Sequence, residues 1–456
     1  MASESTPPST TAPFSPEIEA ERWKDLDYIL KRSGPFAPED FQPGDETKQF
    51  LQDTCKVLII GAGGLGCDLV KNLAMSGFRS IDIIDMDTIS TSNLNRQFLF
   101  RDGDVGKMKA EVAAKFVNER VAGVKVTPHI CAIQEKDKDF YRQFGIVIAG
   151  LDSIPARRWI NSTLLSFIQY NDEAKTEVDM SSMIPLVDGG TEGFKGQSRV
   201  ILPGVTACYE CTLDLFPTDE TNYPMCTLKT TPRLPEHCIQ YCYIEEWRNT
   251  KGKEGIADDE QVDGDNPRHV QWIYEKSVER AKNFGIAGVT YRLTQGVIKG
   301  IIPAIASTNA IIASSCTNEA FKLATFCLPF LDDYMMYNGS EGIYTFTYKN
   351  MKKEGCLQCG PDGLAKTINC SGEITLNEFR DLLRTDKSIQ FNNSSLRDLT
   401  NEKTLYFTKP ATLRQMTEPN LNKKLKELFK SGTELYATDT EVIADRGVTL
   451  IVNFTD

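Results

Sequence analysis

Residues Gly61 to Gly66 read GAGGLG and carry the G-x-G-x-x-G spacing. Glycine at Gly61, Gly63, Gly64 and Gly66 permits a tight turn and lets backbone amides approach a phosphate closely. The apolar run Val57 to Ile60 precedes the loop. A helical pattern with Leu69, Val70 and Leu73 on one face follows it. The loop therefore opens a helix, whose free amides and dipole favour an anion. Asp85 falls 19 residues after Gly66, at the end of a second apolar run, Ile81 to Ile84. A carboxylate there can accept from ribose hydroxyls. On the glycine motif alone, a nicotinamide dinucleotide is the better reading. The residues that follow favour a triphosphate. Arg96, Lys107 and Lys109 come soon after Asp85, and Asp152 lies just past the apolar run Ile146 to Ala149. A nicotinamide site has no need of two cations and a carboxylate at its phosphate end. In an ATP site, Arg96 and Lys109 neutralise phosphate oxygens, and Asp152 can hold Mg2+. The structural alternative for Asp152 is the N-cap of the next helix.

The cysteines divide into two chemistries. Cys208-Tyr-Glu-Cys211 and Cys356-Leu-Gln-Cys359 are C-x2-C knuckles separated by 144 residues. Four thiolates suit a closed, tetrahedral, structural Zn2+ site that would staple distant chain segments. Four unrelated buried thiols are the alternative. A redox role is weaker, because neither pair opens a thioredoxin-like helix. The chain has 13 cysteines, an odd count, which argues against a disulfide framework. Cys226 stands apart, in Tyr-Pro-Met-Cys-Thr. An exposed thiol just ahead of a helix N-terminus has its thiolate favoured. Composition alone would make it an ordinary buried thiol. Only His129, His237 and His269 are present, so Ser-His or Cys-His catalysis has few candidates.

These residues sit in an alternation of short apolar runs and helical patterns. Strand, helix, strand in that order predicts an α/β, doubly wound, mostly parallel Rossmann-like sheet. The domains predicted are a tail and lead-in helix over 1–48 and an ATP-binding domain over 49–205 plus 287–365. A mainly helical insertion rich in Cys, Pro and charge occupies 206–286, and a small C-terminal α+β domain spans 366–456. A long buried helix is expected over Gly288 to Ser314, an alternating strand over Gly342 to Tyr348, and an amphipathic helix near Leu376 to Leu383. With 456 residues and 41% apolar composition, two to four domains with real cores can form. The net charge of −12 argues against non-specific nucleic-acid binding. Met1 to Ser15 has no apolar core of a secretory leader, and Gly300 to Ser315 is interrupted by Pro303, Thr308 and Asn309. A cytoplasmic or nuclear protein without a membrane span is expected.

Taken together, IGAGGLG, DMDTI-x4-LNRQFLF, DVGKMKAEVA, GLDS-x3-RRW and DGGTEGFKGQSRVILP resemble the adenylation domain of ubiquitin-like-modifier-activating enzymes. Bacterial sulfur-carrier adenylyltransferases (the ThiF/MoeB type) share that domain. NYPMCTLKTTPRLPEHCIQY, with GVTYRLTQGV-x-KGIIPAIASTNAIIA, resembles the catalytic subunits of neddylation-activating enzymes. The likeness is strong over about 50–365 and weaker beyond. It implies that Asp85 and Asp87 lie at the nucleotide, and that Asn93, Arg96, Gln97 and Lys109 bind or position phosphates. It further implies Mg2+ at Asp152, a modifier tail read near Arg199, and a thioester on Cys226. It assigns Cys238, Cys242 and His237 no chemistry. Lys229 departs from the usual Ala-Ser-Met stretch after the cysteine. The implied ubiquitin-fold domain at the C-terminus would recruit a conjugating enzyme. Because only one G-x-G-x-x-G module is present, a regulatory, pseudo-catalytic partner subunit is implied in a heterodimer. A SUMO-type activating subunit and a non-catalytic scaffold are the competing readings. Retention of Arg96, Lys109, Asp152 and Cys226 weighs against the scaffold.

Overall fold

The structure is a computed structural model that describes residues 16–172, 177–215, 225–252, 256–257, 260, 262–264, 266–298, 304–360, 366–439, 441–442 and 447–455. Its chain forms two compact units, Pro217–Pro303 and the remainder.

The remainder is built on an eight-stranded sheet. Its strands are β1 (Lys56–Ile60), β2 (Ser80–Ile84), β3 (Lys125–His129), β4 (Ile146–Ala149), β5 (Leu186–Glu192), β6 (Lys195–Ile201), β7 (Tyr334–Asn338) and β8 (Tyr344–Tyr348). Spatial order is β3-β2-β1-β4-β5-β6-β7-β8. The pairings from β3 to β5 are parallel and those from β5 to β8 antiparallel. Val57 to Ile60 is buried throughout, as a strand covered on both faces requires. From β1 the chain winds outward to β2 and β3, then returns to β4 on the other side of β1. Such a switch point opens a crevice at the carboxyl ends of the strands, and ligands of this fold class bind there. Gly61 and Gly150 stand at that crevice, one past β1 and the other past β4.

Two expectations need correction. The predicted single helix over Gly288 to Ser314 is two helices, Tyr291–Ile298 and Ala306–Thr325, and they fall in different units. Pro303 lies between them, and proline ends a helix because it lacks an N–H and clashes with the preceding turn. The expected strand over Gly342 to Tyr348 does form, as β8, exposed along its whole length. The insertion also differs from the expected 206–286. Helix Tyr291–Ile298 stays with it, because Leu293, Val297 and Ile298 pack on the cluster of Ile239, Cys242 and Ile273. Helix Ala306–Thr325 instead lies against helix Gly64–Met75 and strands β5 and β6. No helix among the described residues is long and apolar enough to cross a membrane.

The C-terminal part is a separate five-stranded sheet of β9 (Lys366–Cys370), β10 (Ser395–Asp398), β11 (Lys403–Tyr406), β12 (Thr433–Thr438) and β13 (Val448–Phe454). Its order is β11-β10-β12-β13-β9. Helix Leu376–Thr385 turns Leu376, Phe379 and Leu383 into its core. The helix starts with a capping box in which Thr375 Oγ1 accepts from the Glu378 amide and the Glu378 carboxylate accepts from the Thr375 amide.

A buried arginine joins this sheet to the first. Arg158, 1% exposed, donates through Nε to Glu210 at 2.9 Å and through Nη1 to the Gln390 carbonyl at 2.7 Å. Its Nη2 reaches Glu210 and the Ile389 carbonyl. Gln390 has φ +47°, a left-handed conformation costly for a non-glycine residue, and its carbonyl accepts from Arg158. Removing one partner of such a pair strands a buried charge. Glu210→Ala is expected to cost about 3–5 kcal/mol of stability, measured by denaturant unfolding.

Candidate active site

The glycine loop is shaped by backbone contacts. Gly61 has φ +97°, and a Cβ there would lie 2.7 Å from the Gly150 carbonyl oxygen. A Cβ on Gly66 would lie 1.9 Å from the Gly61 oxygen, well inside contact distance. Helix Gly64–Met75 can therefore start against β1 only with glycine at Gly66. Its first amides have no intrahelical acceptors, and a helix start of this kind favours an anion. Asp85 locks the turn. Its Oδ2 accepts from the Ala62 amide at 2.6 Å and its Oδ1 from the Asp87 amide at 2.8 Å. Burial pushes the Asp85 carboxyl above its ordinary range, against the pull of those two amides and Lys109.

The cations predicted for phosphate are placed differently from one another. Lys109 is buried and bonds Asp87 Oδ2 at 2.7 Å, so Asp87 and Lys109 come together. Lys107 instead pairs with Asp104 on the surface. Arg96 lies beside the loop, its Cγ 3.8 Å from where a Gly64 Cβ would sit, and it donates to the Ser92 carbonyl and Asn95. Asn93 is buried and its oxygen accepts from the Ser90 amide at 2.9 Å, making it a bracket for the Arg96 turn. Gln97 is 3% exposed, and its Oε1 has no hydrogen-bond partner among the described residues. Its Nε2 is 3.9 Å from the Cβ position of Gly63. Asp152 is exposed past β4, and it is not the cap of the next helix: Ser153 is, accepting from the Ala156 amide.

Arg199 is 1% exposed. It faces Asp188 across the β5–β6 register and donates Nε to it at 3.2 Å, with Nη1 to Thr212 at 2.9 Å. Its guanidinium stacks on Tyr209 at 4.4 Å. Arg157 binds the other Asp188 oxygen at 2.8 Å and the Gly189 carbonyl at 2.9 Å. Burial alone would raise the Asp188 carboxyl, but Arg157 and Arg199 hold it below its ordinary range. Sequence reasoning missed Arg157 and Asp188, and also Asn309. Asn309 is buried on helix Ala306–Thr325, accepts from Thr191 at 2.6 Å, and lies 2.3 Å from the Cβ position of Gly64. A lone asparagine in a run of small apolar residues was the available signal.

The four knuckle cysteines converge. Sγ separations are 3.9 Å for Cys208–Cys211, 3.6 Å for Cys208–Cys356 and 3.4 Å for Cys211–Cys359. All four sulfurs lie within 4.8 Å of one another. A tetrahedral zinc with Zn–S of about 2.3 Å sets sulfurs about 3.8 Å apart, whereas a disulfide needs about 2.05 Å. The donor set thus fits Zn2+ and not disulfides. Cys226 is the second residue of helix Met225–Thr230, one residue inside the N-terminus rather than ahead of it, and its side chain lies outside the described residues. Cys238 and Cys242 are fully buried and burial pushes both thiols up, as packing residues require.

A family model described as the ThiF family matches residues 40–359, and one described as an E2 binding domain matches 369–452. The NEDD8-activating enzyme E1 catalytic subunit of Dictyostelium discoideum is 52% identical over 95% of this chain and 97% of its own length. The chain belongs to the ThiF family, among the E1 catalytic subunits. The Drosophila melanogaster subunit of the same name is 49% identical over 92% of this chain and 93% of its own. SUMO-activating enzyme subunit 2 of Dictyostelium discoideum is 42% identical over only 43% of this chain and 27% of its own length. As an E1 catalytic subunit the chain is an ATP-using activating enzyme with an adenylation domain and an E2-binding domain. Gly66→Ala is expected to weaken ATP binding more than tenfold in calorimetry, because its methyl has no space beside Gly61. Metal analysis of the purified chain is expected to give one zinc per chain, and Cys359→Ser to lower both zinc content and melting temperature.

Proposed function

We propose that this chain activates a ubiquitin-like modifier of the NEDD8 kind and passes it to a conjugating enzyme. The observation that carries the reading is the glycine crevice flanked by Asp85, Arg96, Lys109 and Asp152, in a chain that also carries Cys226 on a separate unit. Amides of the loop and the helix start receive the phosphates, Asp85 holds the ribose, and Arg96 and Lys109 neutralise phosphate charge. Lys109 exchanges Asp87 for phosphate at modest cost, since Asp87 is half exposed and rehydrates. The Gln97 Nε2, beside Gly63, is a donor available to the phosphates. Asp152 is the carboxylate available for Mg2+, which favours one or two carboxylates with phosphate oxygens and would supply charge neutralisation there.

A carboxylate oxygen of the modifier's last residue attacks the α-phosphorus. The bond from that phosphorus to the bridging oxygen breaks, and pyrophosphate leaves. The protein's part is alignment and charge neutralisation. The Arg157–Asp188–Arg199 lattice fixes the ends of β5 and β6 beside the crevice. Arg199, buried in that lattice, shapes the passage for the tail. The Cys226 thiolate then attacks the acyl carbon, the bond to the AMP oxygen breaks, and AMP departs. AMP is a good leaving group, so no histidine base is needed. Thiol exchange with the conjugating enzyme, recruited by the C-terminal sheet, completes the transfer. The exposed apolar strip of Met336, Tyr344, Phe346 and Tyr348 on β7 and β8 suits the apolar face of a small folded modifier. A regulatory subunit completes the enzyme, since this chain holds a single glycine module.

The test mixes the chain, a regulatory subunit, ATP and Mg2+ with a panel of ubiquitin-like modifiers and resolves thioesters on a non-reducing gel. A thioester with the NEDD8-type modifier is expected. Thioester on SUMO or ubiquitin instead would overturn the modifier assignment. Cys226→Ala is expected to abolish the thioester while ATP–pyrophosphate exchange persists. Asp152→Ala is expected to lower that exchange at least a hundredfold.

A further inference from the structure

The helix that carries Cys226, Met225–Thr230, has six residues. A helix this short has no stability of its own in water and must be held from outside. Its last carbonyls are the weak point, because the final turn of any helix lacks intrahelical donors. Here the sequence removes the nearest substitutes. Four residues beyond Leu228 stands Pro232, which has no N–H. Four residues beyond Lys229 stands Arg233, whose N–H goes to His237 Nδ1 at 3.2 Å.

Arg280 supplies the missing donors. It stands on helix Pro267–Asn283 of the same compact unit. Its Nη2 donates to the Leu228 carbonyl and, at 2.9 Å, to the Lys229 carbonyl. The guanidinium lies 3.6 Å from the centroid of the Tyr241 ring and 5.0 Å from that of Phe284. Tyr241 ends helix Pro235–Tyr241, so one planar cation ties three elements together. Stacking fixes the plane of the group, and the plane fixes where its N–H bonds point. A cation at a helix C-terminus also complements the dipole. The clamp takes the Lys229 carbonyl and leaves its side chain exposed, so it is indifferent to the departure from the family pattern at that position.

We propose that Arg280 is a positioning residue for thioester formation: it sets the pitch of the Cys226 turn through the Leu228 and Lys229 carbonyls. This rests on the reading of Cys226 as the acceptor. Misplacing a nucleophile by about 1 Å can cost on the order of a hundredfold in rate. A guanidinium can be replaced in charge by lysine, but not in its planar fork.

The experiment uses the full chain with its regulatory subunit, and compares wild type, Arg280→Ala and Arg280→Lys. Single-turnover thioester formation at saturating NEDD8-type modifier is followed by rapid quench, ATP–pyrophosphate exchange reports adenylation, and circular-dichroism melts report folding. Arg280→Ala is expected to slow the single-turnover step about 10- to 100-fold. The half-saturating modifier concentration and pyrophosphate exchange should stay within twofold. Arg280→Lys should recover part of the rate. If the alanine variant is as fast as wild type, or if exchange falls by the same factor, the proposal is overturned. A lysine variant equal to wild type also overturns it, because charge alone would then suffice. Should the alanine variant melt below the assay temperature, the lysine variant decides the matter. Failure of the underlying reading looks different: wild type would form no thioester, or Cys226→Ala would still form one.

Discussion

The carbonyl of Gly61 and the Cα of Gly66 approach so closely that no side-chain atom fits between them, and the nucleotide site is arranged around that approach. On its other side Gly61 abuts the carbonyl of Gly150, so β1, β4 and the first turn of helix Gly64–Met75 meet as bare backbone. Only because they meet can the Ala62 amide reach Asp85 and tie in β2. Only because Gly64 is bare can Asn309 bring helix Ala306–Thr325 against the same turn. Four chain segments far apart in sequence are thereby registered to one another before any phosphate arrives.

Charge near the crevice falls into two kinds. Asp188 and Arg199 are buried, and Arg157 with Arg199 hold the carboxylate from two sides, which stiffens it in a low dielectric. Lys109 and Arg96 are held by partners that are partly solvated, so they can change partners cheaply. The stiff frame keeps the strands in place while the cations beside the crevice exchange partners.

The short apolar runs around Val57, Ile81 and Ile146 were legible as strands, because burial on both faces leaves few other residues possible. Glycine spacing identified the tight turn between β1 and the next helix for the same reason of sterics. Ligand convergence in the C-x2-C pairs was legible from donor chemistry. What sequence could not convey was side-chain traffic between distant segments. Asn93 brackets a turn, Arg199 is sealed under Tyr209, and Arg157 shares Asp188 with it; none of this follows from spacing. The split of Gly288 to Ser314 into two helices was visible as Pro303, yet its apolar continuity spoke for one element. Residue types place Cys226 just ahead of a helix, the structure places it second in that helix, and the clamp on it comes from a residue 54 positions later.

The cysteine cluster has a consequence in time. Cys208 and Cys211 leave the ribosome well before Cys356 and Cys359, and the inserted unit is made in between. A four-thiolate site cannot close on two ligands, so a metal there would be fully ligated only after residue 359 has emerged. Until then the ends of the insertion are held by helix Ala306–Thr325 and the β6–β7 pairing, and Leu357 within the second knuckle later packs against the core of the C-terminal sheet. A metal held by the four thiolates would tie the chain before the insertion to the knuckle whose Leu357 packs on the C-terminal core.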